Sequence, residues 1–277
     1  MKSIPNSERN PWPEFFEKNA ERYDQSGVPF FTTFARRLVE LLAPQPGERA
    51  LDIGSGRGAV AFRLADAVGT DGRVDALDIA PSMVRLLSEE ATARGLTQVQ
   101  GEVGDASDPR PPAPPYDVLA SSLVLHFLPE PLAALIRWIP LVRPAGRVGI
   151  SSFLPFAGRF DDLNQLVVEY AGPAPTARGG TPFDTDEGVE TLFEQAGFVD
   201  VRTVTEQHPI PFADAAQWRA WSMGTVLRRL WADSDPERHD EILDRVMSVL
   251  DGNRDAQGRL SLDVGIRYTL ARRLGAA

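Results

Sequence analysis

Three glycines in 51-LDIGSGRGAV-60, Gly54, Gly56 and Gly58, stand between an apolar run ending in Asp52-Ile53 and an amphipathic segment. This is the pattern of a strand that passes through a tight loop into a helix. Such loops hold nucleotide-like ligands, because amides at the helix start face the ligand and glycine lets the backbone come close. Taken alone, the run also satisfies the dinucleotide fingerprint G-x-G-x-x-A, with Ala59 last, so other residues must choose the ligand. Three carboxylates do so: Asp52 before the turn, Asp78 after a second expected strand and Asp105 after a third. In an open parallel sheet these strand ends meet at one crevice. Asp78 is placed to serve a dinucleotide's ribose, but Asp52 and Asp105 would repel a pyrophosphate. A ligand carrying a sulfonium and an ammonium is attracted instead.

Positioning these acids falls to an alternation that begins at residue 49. Strands are expected near 49–53, 73–78, 98–103, 117–121 and 146–153, separated by helical stretches near 58–67, 82–93 and 130–139. That order predicts a parallel sheet covered by helices. A helix over 185–196 follows, with Asp184 and Glu187 as its capping box, Val189, Leu192 and Phe193 inward and Gly197 at its end, then a strand near 199–205. Residues 1–44 read as helical, with Phe31, Phe34, Leu38, Leu41 and Leu42 on one face. Two inserts interrupt the alternation. Residues 158–171 space Phe160, Leu163, Leu166, Val167 and Tyr170 helically ahead of 172-GPAPTARGGTPF-183, which reads as a mobile connection. Residues 213–251 hold two helices, one capped by Asp214 with Gln217, the other begun by Pro236 and ended by Gly252. A β-branched stretch near 260–270 is expected to return to the sheet edge.

The formal charge of -10 leaves no basic surplus for phosphates, so nucleic acid is not expected as a partner. The absence of cysteine removes disulfides, thiolate zinc sites and cysteine nucleophiles, and no metal site is expected. Met1-Lys2-Ser3-Ile4-Pro5 lacks a signal-peptide core, and the most apolar region, 118–142, is interrupted by His126, Glu130 and Arg137. A cytoplasmic protein without a membrane partner is expected, as a monomer or homodimer.

S-adenosylmethionine (SAM) carries both cationic groups, together with ribose hydroxyls and an adenine amino group that need acceptors. Five segments in order, 50-ALDIGSGRG-58, 75-DALDIAPSMV-84, 103-VGDA-106, 116-YDVLASSLVLHFLPEP-131 and 141-LVRPAGRV-148, resemble the class I SAM-dependent methyltransferases, and in particular those acting on quinones and natural products. The resemblance is strong over residues 47–155 and looser elsewhere. It implies an α/β, Rossmann-like sheet, mostly parallel with an antiparallel last strand, plus helical cap and lid insertions. It implies a helical lid over 1–44, a SAM-binding core over 45–157, a cap insertion over 158–183, a core helix and strand over 184–212, a helical cap over 213–255 and a C-terminal strand over 256–277. By the same resemblance Gly54, Gly56 and Gly58 admit the methionine part and ribose, Asp78 accepts both ribose hydroxyls, Met83 packs on adenine, and Asp105 with the Ala106 backbone meets its edge, with Ile79 and Gly104 also in the cofactor set. Asp52 and Ser121 complete the cofactor set. The usual Pro-Gly-Gly before the fifth strand is here Pro144-Ala145-Gly146.

Methyl transfer is an in-line displacement, accelerated mainly by alignment and exclusion of water, so a cap is expected. Trp12, Phe127, Tyr170, Trp218 and Trp221 are the substrate-binding candidates and favour an apolar or aromatic acceptor. His126, after the fourth strand, is the acid/base candidate, against the alternative of a turn-holding residue. The segment 13-PEFFEKNAERYD-24 resembles the lid helix of quinone and natural-product enzymes, which implies that Tyr23 reaches the methionine end of the cofactor. Methylation on oxygen is expected first and on carbon next. An NAD-dependent oxidoreductase and a non-catalytic SAM-binding regulator are the alternatives.

Overall fold

The computed structural model describes residues 12–172, 180–252, 254–255 and 257–275. One sheet of seven strands holds β1 (Arg49–Ile53), β2 (Arg73–Asp78), β3 (Val99–Val103), β4 (Tyr116–Ser122), β5 (Val142–Phe153), β6 (Phe198–Phe212) and β7 (Leu260–Arg273), in the order β3-β2-β1-β4-β5-β7-β6. The first five pair in parallel. β7 is antiparallel to both β5 and β6. The strand order turns back between β1 and β4, and there the C-terminal strand ends open a crevice.

Ten α-helices accompany the sheet among the described residues: α1 (Trp12–Asn19), α2 (Phe30–Leu42), α3 (Ala61–Val68), α4 (Pro81–Ala93), α5 (Pro131–Trp138), α6 (Gly158–Ala171), α7 (Asp186–Ala196), α8 (Ala215–Met223), α9 (Arg229–Ala232) and α10 (His239–Asp251). Strand alternation sends Ala50 and Asp52 to one face of the sheet and Leu51 and Ile53 to the other. On the first face α2, α3 and the helices of the late insert share a core with Phe34, Leu38, Leu64, Val118 and Trp218. The opposite face packs α5 and α7 through Leu135, Trp138 and Phe193. Asp52 thus enters an apolar layer by its place on the strand, at 1% exposure.

Three local expectations are corrected. The last strand does not lie at the sheet edge; β7 inserts between β5 and β6. From Leu260 to Ala271 it is buried at all but Asp263 and Gly265, as a strand with a neighbour on each side should be. β6 takes the edge, alternates in burial and runs on to Phe212, including Pro209 and Pro211, which an edge strand tolerates. The cap of α7 is Thr185, whose hydroxyl accepts from the Gly188 N–H (3.0 Å), while Asp184 closes a capping box with Thr181 one turn earlier. The caps at Asp214 and the left-handed Gly197 stand where the sequence puts them. Residues 1–11 of the expected lid and 173–179 of the expected connection lie outside the described residues.

Candidate active site

The glycine turn is tied to the end of β2: the Gly54 and Ser55 N–H groups both donate to the Leu77 carbonyl (2.7 and 2.9 Å). Gly54 has φ +73°, and a Cβ there would fall 2.3 Å from Val124 Cγ2, so both backbone and contact demand glycine. Asp78 organises the same loop. Its Oδ2 accepts from the Gly56 N–H (2.8 Å) and its Oδ1 from the Ala80 N–H (2.9 Å). Beyond the turn lies a cavity with about 710 Å³ of empty space including its mouth, walled by Gly54, Gly56, Asp78, Ile79, Met83, Gly104, Asp105, Ala106, Ser122, Leu123 and Val124. Trp12, Pro13, Phe16, Tyr23, Phe127 and Leu128 complete it.

Its wall holds two carboxylates and neither lysine nor arginine, which disfavours a pyrophosphate and suits a cation. A smaller cavity adjoins it along Tyr23, Gly54, Gly56 and Ser122 and is lined by Asp52 and Asp24. Neither Asp52 oxygen has a hydrogen-bond partner of normal geometry. Burial pushes this carboxyl up to about 8; the Ala61 backbone N–H opposes the shift, and nearby Asp78 adds to it. Burial also raises Asp78, against the bonds from Ala80 and Gly56. A buried acid without a partner is costly in the empty fold and is relieved by a cationic ligand. Asp52, Asp78 and Asp105 therefore fit a cationic ligand such as SAM.

α1 and the turn after it roof the cavity. Phe16 and Tyr23 pack on Ala80 and Met83, the latter 1% exposed. Glu17 anchors the roof by accepting from the Ser82 N–H (3.0 Å) and hydroxyl (2.6 Å) at the start of α4, where a carboxylate also meets the positive helix end. Arg57 Nη1 donates to the Ala20 and Glu21 carbonyls (3.1 and 3.2 Å), and Glu21 pairs with Arg85.

A second chamber of about 570 Å³ shares Phe16, Tyr23, Leu123 and Phe127 with the cofactor cavity. Phe15, Phe30, Phe31, Phe153, Phe156 and Phe160 line it, with Trp221, Thr225 and Leu227. Thr225 bonds within its own turn. Tyr23 stands at the junction of all three spaces, stacked on Phe31 at 4.6 Å, and burial holds its hydroxyl far above the usual phenol range.

The structure brings Gly54, Gly56, Asp78, Ile79, Met83, Gly104, Asp105, Ala106, Trp12, Tyr23 and Phe127 to the first cavity, Asp52 to the small one and Trp221 to the chamber. Five candidates stand elsewhere. Gly58 supports the loop from behind, where a Cβ would meet Phe62 at 2.6 Å. Ser121 is fully buried and donates to the Ile53 carbonyl (2.8 Å); Ser122, on the opposite face, is the serine at both cavities. Tyr170 donates its hydroxyl to Glu241 (2.7 Å) under Arg238, and Trp218 is buried inside the cap between Trp221 and Trp231. His126 lines neither space; its ring lies against Phe127, Phe153 and Phe183. Its Nδ1 is buried without a partner, and burial lowers its pKa to about 4. Sequence reading missed Asp24 and every phenylalanine of the chamber except Phe127. The spacing Phe153, Phe156, Phe160 was a signal for the latter, since it runs off a strand end into a helix at the crevice.

Residues 50–146 match the family model of a methyltransferase domain. Over 271 residues the chain is 35% identical to nocamycin O-methyltransferase of Saccharothrix syringae, covering 93% of this chain and 96% of that protein. It is 42% identical over 148 residues to aklanonic acid methyltransferase of a Streptomyces species, covering 53% of this chain and 67% of that one. Among solved structures, phosphoethanolamine N-methyltransferase 2 of Haemonchus contortus with S-adenosylhomocysteine (SAH) superposes with a TM-score of 0.61 at 14% identity, over 99% of this chain and 61% of that chain. Among the described residues no helix is long and apolar enough to cross a membrane, and no cluster of side chains could hold a metal. The oxidoreductase alternative falls with these matches and with the acidic, cation-free cavity wall. The glycine turn, the acids around it and the full-length likeness together place this chain in the class I SAM-dependent methyltransferases, as an enzyme whose cofactor is SAM.

Proposed function

We propose that the enzyme methylates an oxygen of a hydrophobic, planar small molecule held in the phenylalanine-lined chamber. The observation that carries this reading is the chamber itself. Eight phenylalanines, Tyr23 and Trp221 surround it, it has no charged side chain in its wall, and it shares four residues with the cofactor cavity. Aromatic walls attract flat apolar rings and reject a sugar phosphate. Oxygen as the acceptor atom is supported by likeness to an O-methyltransferase across almost the whole chain. Carbon is the second choice.

When bound, SAM supplies an electrophilic methyl group on its sulfonium. The residues of the chain contribute position and dryness. Asp78 holds the glycine turn in the form that admits the cofactor, and α1 and Tyr23 roof it against water. Leu123 and Phe127 separate and align the two spaces. Holding the reacting atoms in line supplies most of the acceleration such a reaction requires. No side chain in the chamber wall titrates near neutrality, so the hydroxyl that reacts is an acidic one, a phenol or enol that ionises in water. His126 acts as packing behind Phe127.

Incubation with methyl-labelled SAM and an extract of the cells that make this protein, followed by mass spectrometry, is expected to place label on an apolar hydroxylated compound as a methyl ether. Label on a charged, water-soluble amine would overturn the reading. His126→Ala, assayed with that acceptor, is expected to lower turnover by less than about tenfold. A loss of about 100-fold or more with SAM affinity unchanged would return the histidine to the role of general base.

A further inference from the structure

The small cavity that adjoins the cofactor site contains a second carboxylate, Asp24, besides Asp52. Asp24 follows Tyr23 in the turn between α1 and α2, with φ +56°, a left-handed conformation that aspartate and asparagine adopt more readily than other side chains. It lines this space with Asp52, Ser55, Gly56 and Ser122, and Arg57 is the one cation in the same wall. Its carboxylate forms no ion pair among the described residues. The nearest cation, Arg57, lowers its pKa through space, but that guanidinium donates to the Ala20 and Glu21 carbonyls. Burial prevails and pushes the Asp24 carboxyl up to about 6.

Two acids therefore border one space, Asp52 without a hydrogen bond of normal geometry and Asp24 without an ion pair among the described residues. Asp52, 1% exposed with both oxygens unbonded, is the independent sign that a ligand cation belongs there. The two come from different bodies: Asp52 from the rigid sheet, Asp24 from the segment that roofs the cofactor. We propose that Asp24 completes the site for the ammonium of the cofactor's amino-acid tail, opposite Asp52, so that the cofactor itself draws the N-terminal segment closed before the acceptor enters. The ammonium is common to SAM and SAH, so both hold the roof down. The inference rests on SAM as the cofactor and is independent of which atom or acceptor is methylated.

The test uses SAH and 5′-methylthioadenosine, which keeps the nucleoside and sulfur but lacks the amino-acid tail. By calorimetry, Asp24→Asn should weaken SAH binding about tenfold, the scale of one charge-assisted hydrogen bond, and leave methylthioadenosine binding unchanged. Asparagine keeps the left-handed backbone, and Asp24→Ser provides a second variant without the charge should the first fail to fold. In hydrogen exchange, SAH should protect residues 12–27 of the wild type more than methylthioadenosine does, and the variant should lose that difference. Equal weakening of both ligands would make Asp24 a structural residue of the turn. Unchanged SAH affinity, or equal protection by the two ligands in the wild type, would overturn the proposal.

Discussion

Asp78→Ala is expected to weaken SAM binding by on the order of 2–4 kcal/mol, about 30- to 1000-fold in Kd. Two losses combine. The family resemblance makes the carboxylate the acceptor for the nucleoside hydroxyls, and in the structure it receives the Gly56 and Ala80 N–H groups that shape the turn. Without it the loop has two unpaired donors at the mouth of the site. Asp78→Asn separates the two losses. Its amide can orient one oxygen toward Gly56 or toward Ala80, but not toward both, so it should recover only part of the affinity. Calorimetry with SAM on both variants reads the effect; an affinity within twofold of wild type for Asp78→Ala would remove this residue from the cofactor site.

Asp52→Asn should stabilise the empty protein while weakening the cofactor, because the same unpaired acid costs the fold and serves the ligand. The folded pKa of about 8 lies above the unfolded value of about 3.9, so the folded chain keeps a proton that the unfolded chain releases between pH 4 and pH 8. Stability of the wild type therefore falls as pH rises through that window. Asparagine does not titrate and removes that contribution. At pH 8 the variant should be more stable by on the order of 2–4 kcal/mol, with the gap closing toward pH 4, as read by urea unfolding. Cofactor affinity carries the opposite sign. Binding of a cation expels the Asp52 proton, so wild-type affinity should rise by up to about tenfold per pH unit below pH 8, and that slope should vanish in the variant. A variant less stable than wild type at pH 8, or an unaltered pH slope, would show that Asp52 is charged and paired in the free protein.

Both effects trace to residues visible in the sequence, and the reason is topological. In a parallel sheet every strand of an alternating β-α unit ends on the same side, so acids following successive strands must converge. The glycine turn, Asp52, Asp78 and Asp105 could be placed together without coordinates. Helix caps at Asp214 and Gly197 were equally legible, because capping is local chemistry. Side-chain direction was not. Ser121 and Ser122 differ by one position and face opposite sides of β4, and an irregularity in its pairing with β5 between Tyr116 and Val118 makes that register impossible to count from the sequence. Tryptophans 218 and 221 lie one turn apart on α8, yet one is interior to the cap and the other faces the chamber.

Sequence alone determined the parallel part of the sheet and the acids gathered at its crevice, since these depend on periodicity and spacing, and the family resemblance supplied the ligand class. The tertiary structure decided the phenylalanine-lined chamber, because its wall is drawn from segments as far apart as Phe15 of α1 and Leu227 of the late insert, with α2, the end of β5 and α6 between them. It also decided that β7 enters between β5 and β6, that His126 stands behind Phe127, and that Asp24 reaches the same cavity as Asp52. Contacts of that kind arise from packing between distant surfaces, for which local pattern holds no signal.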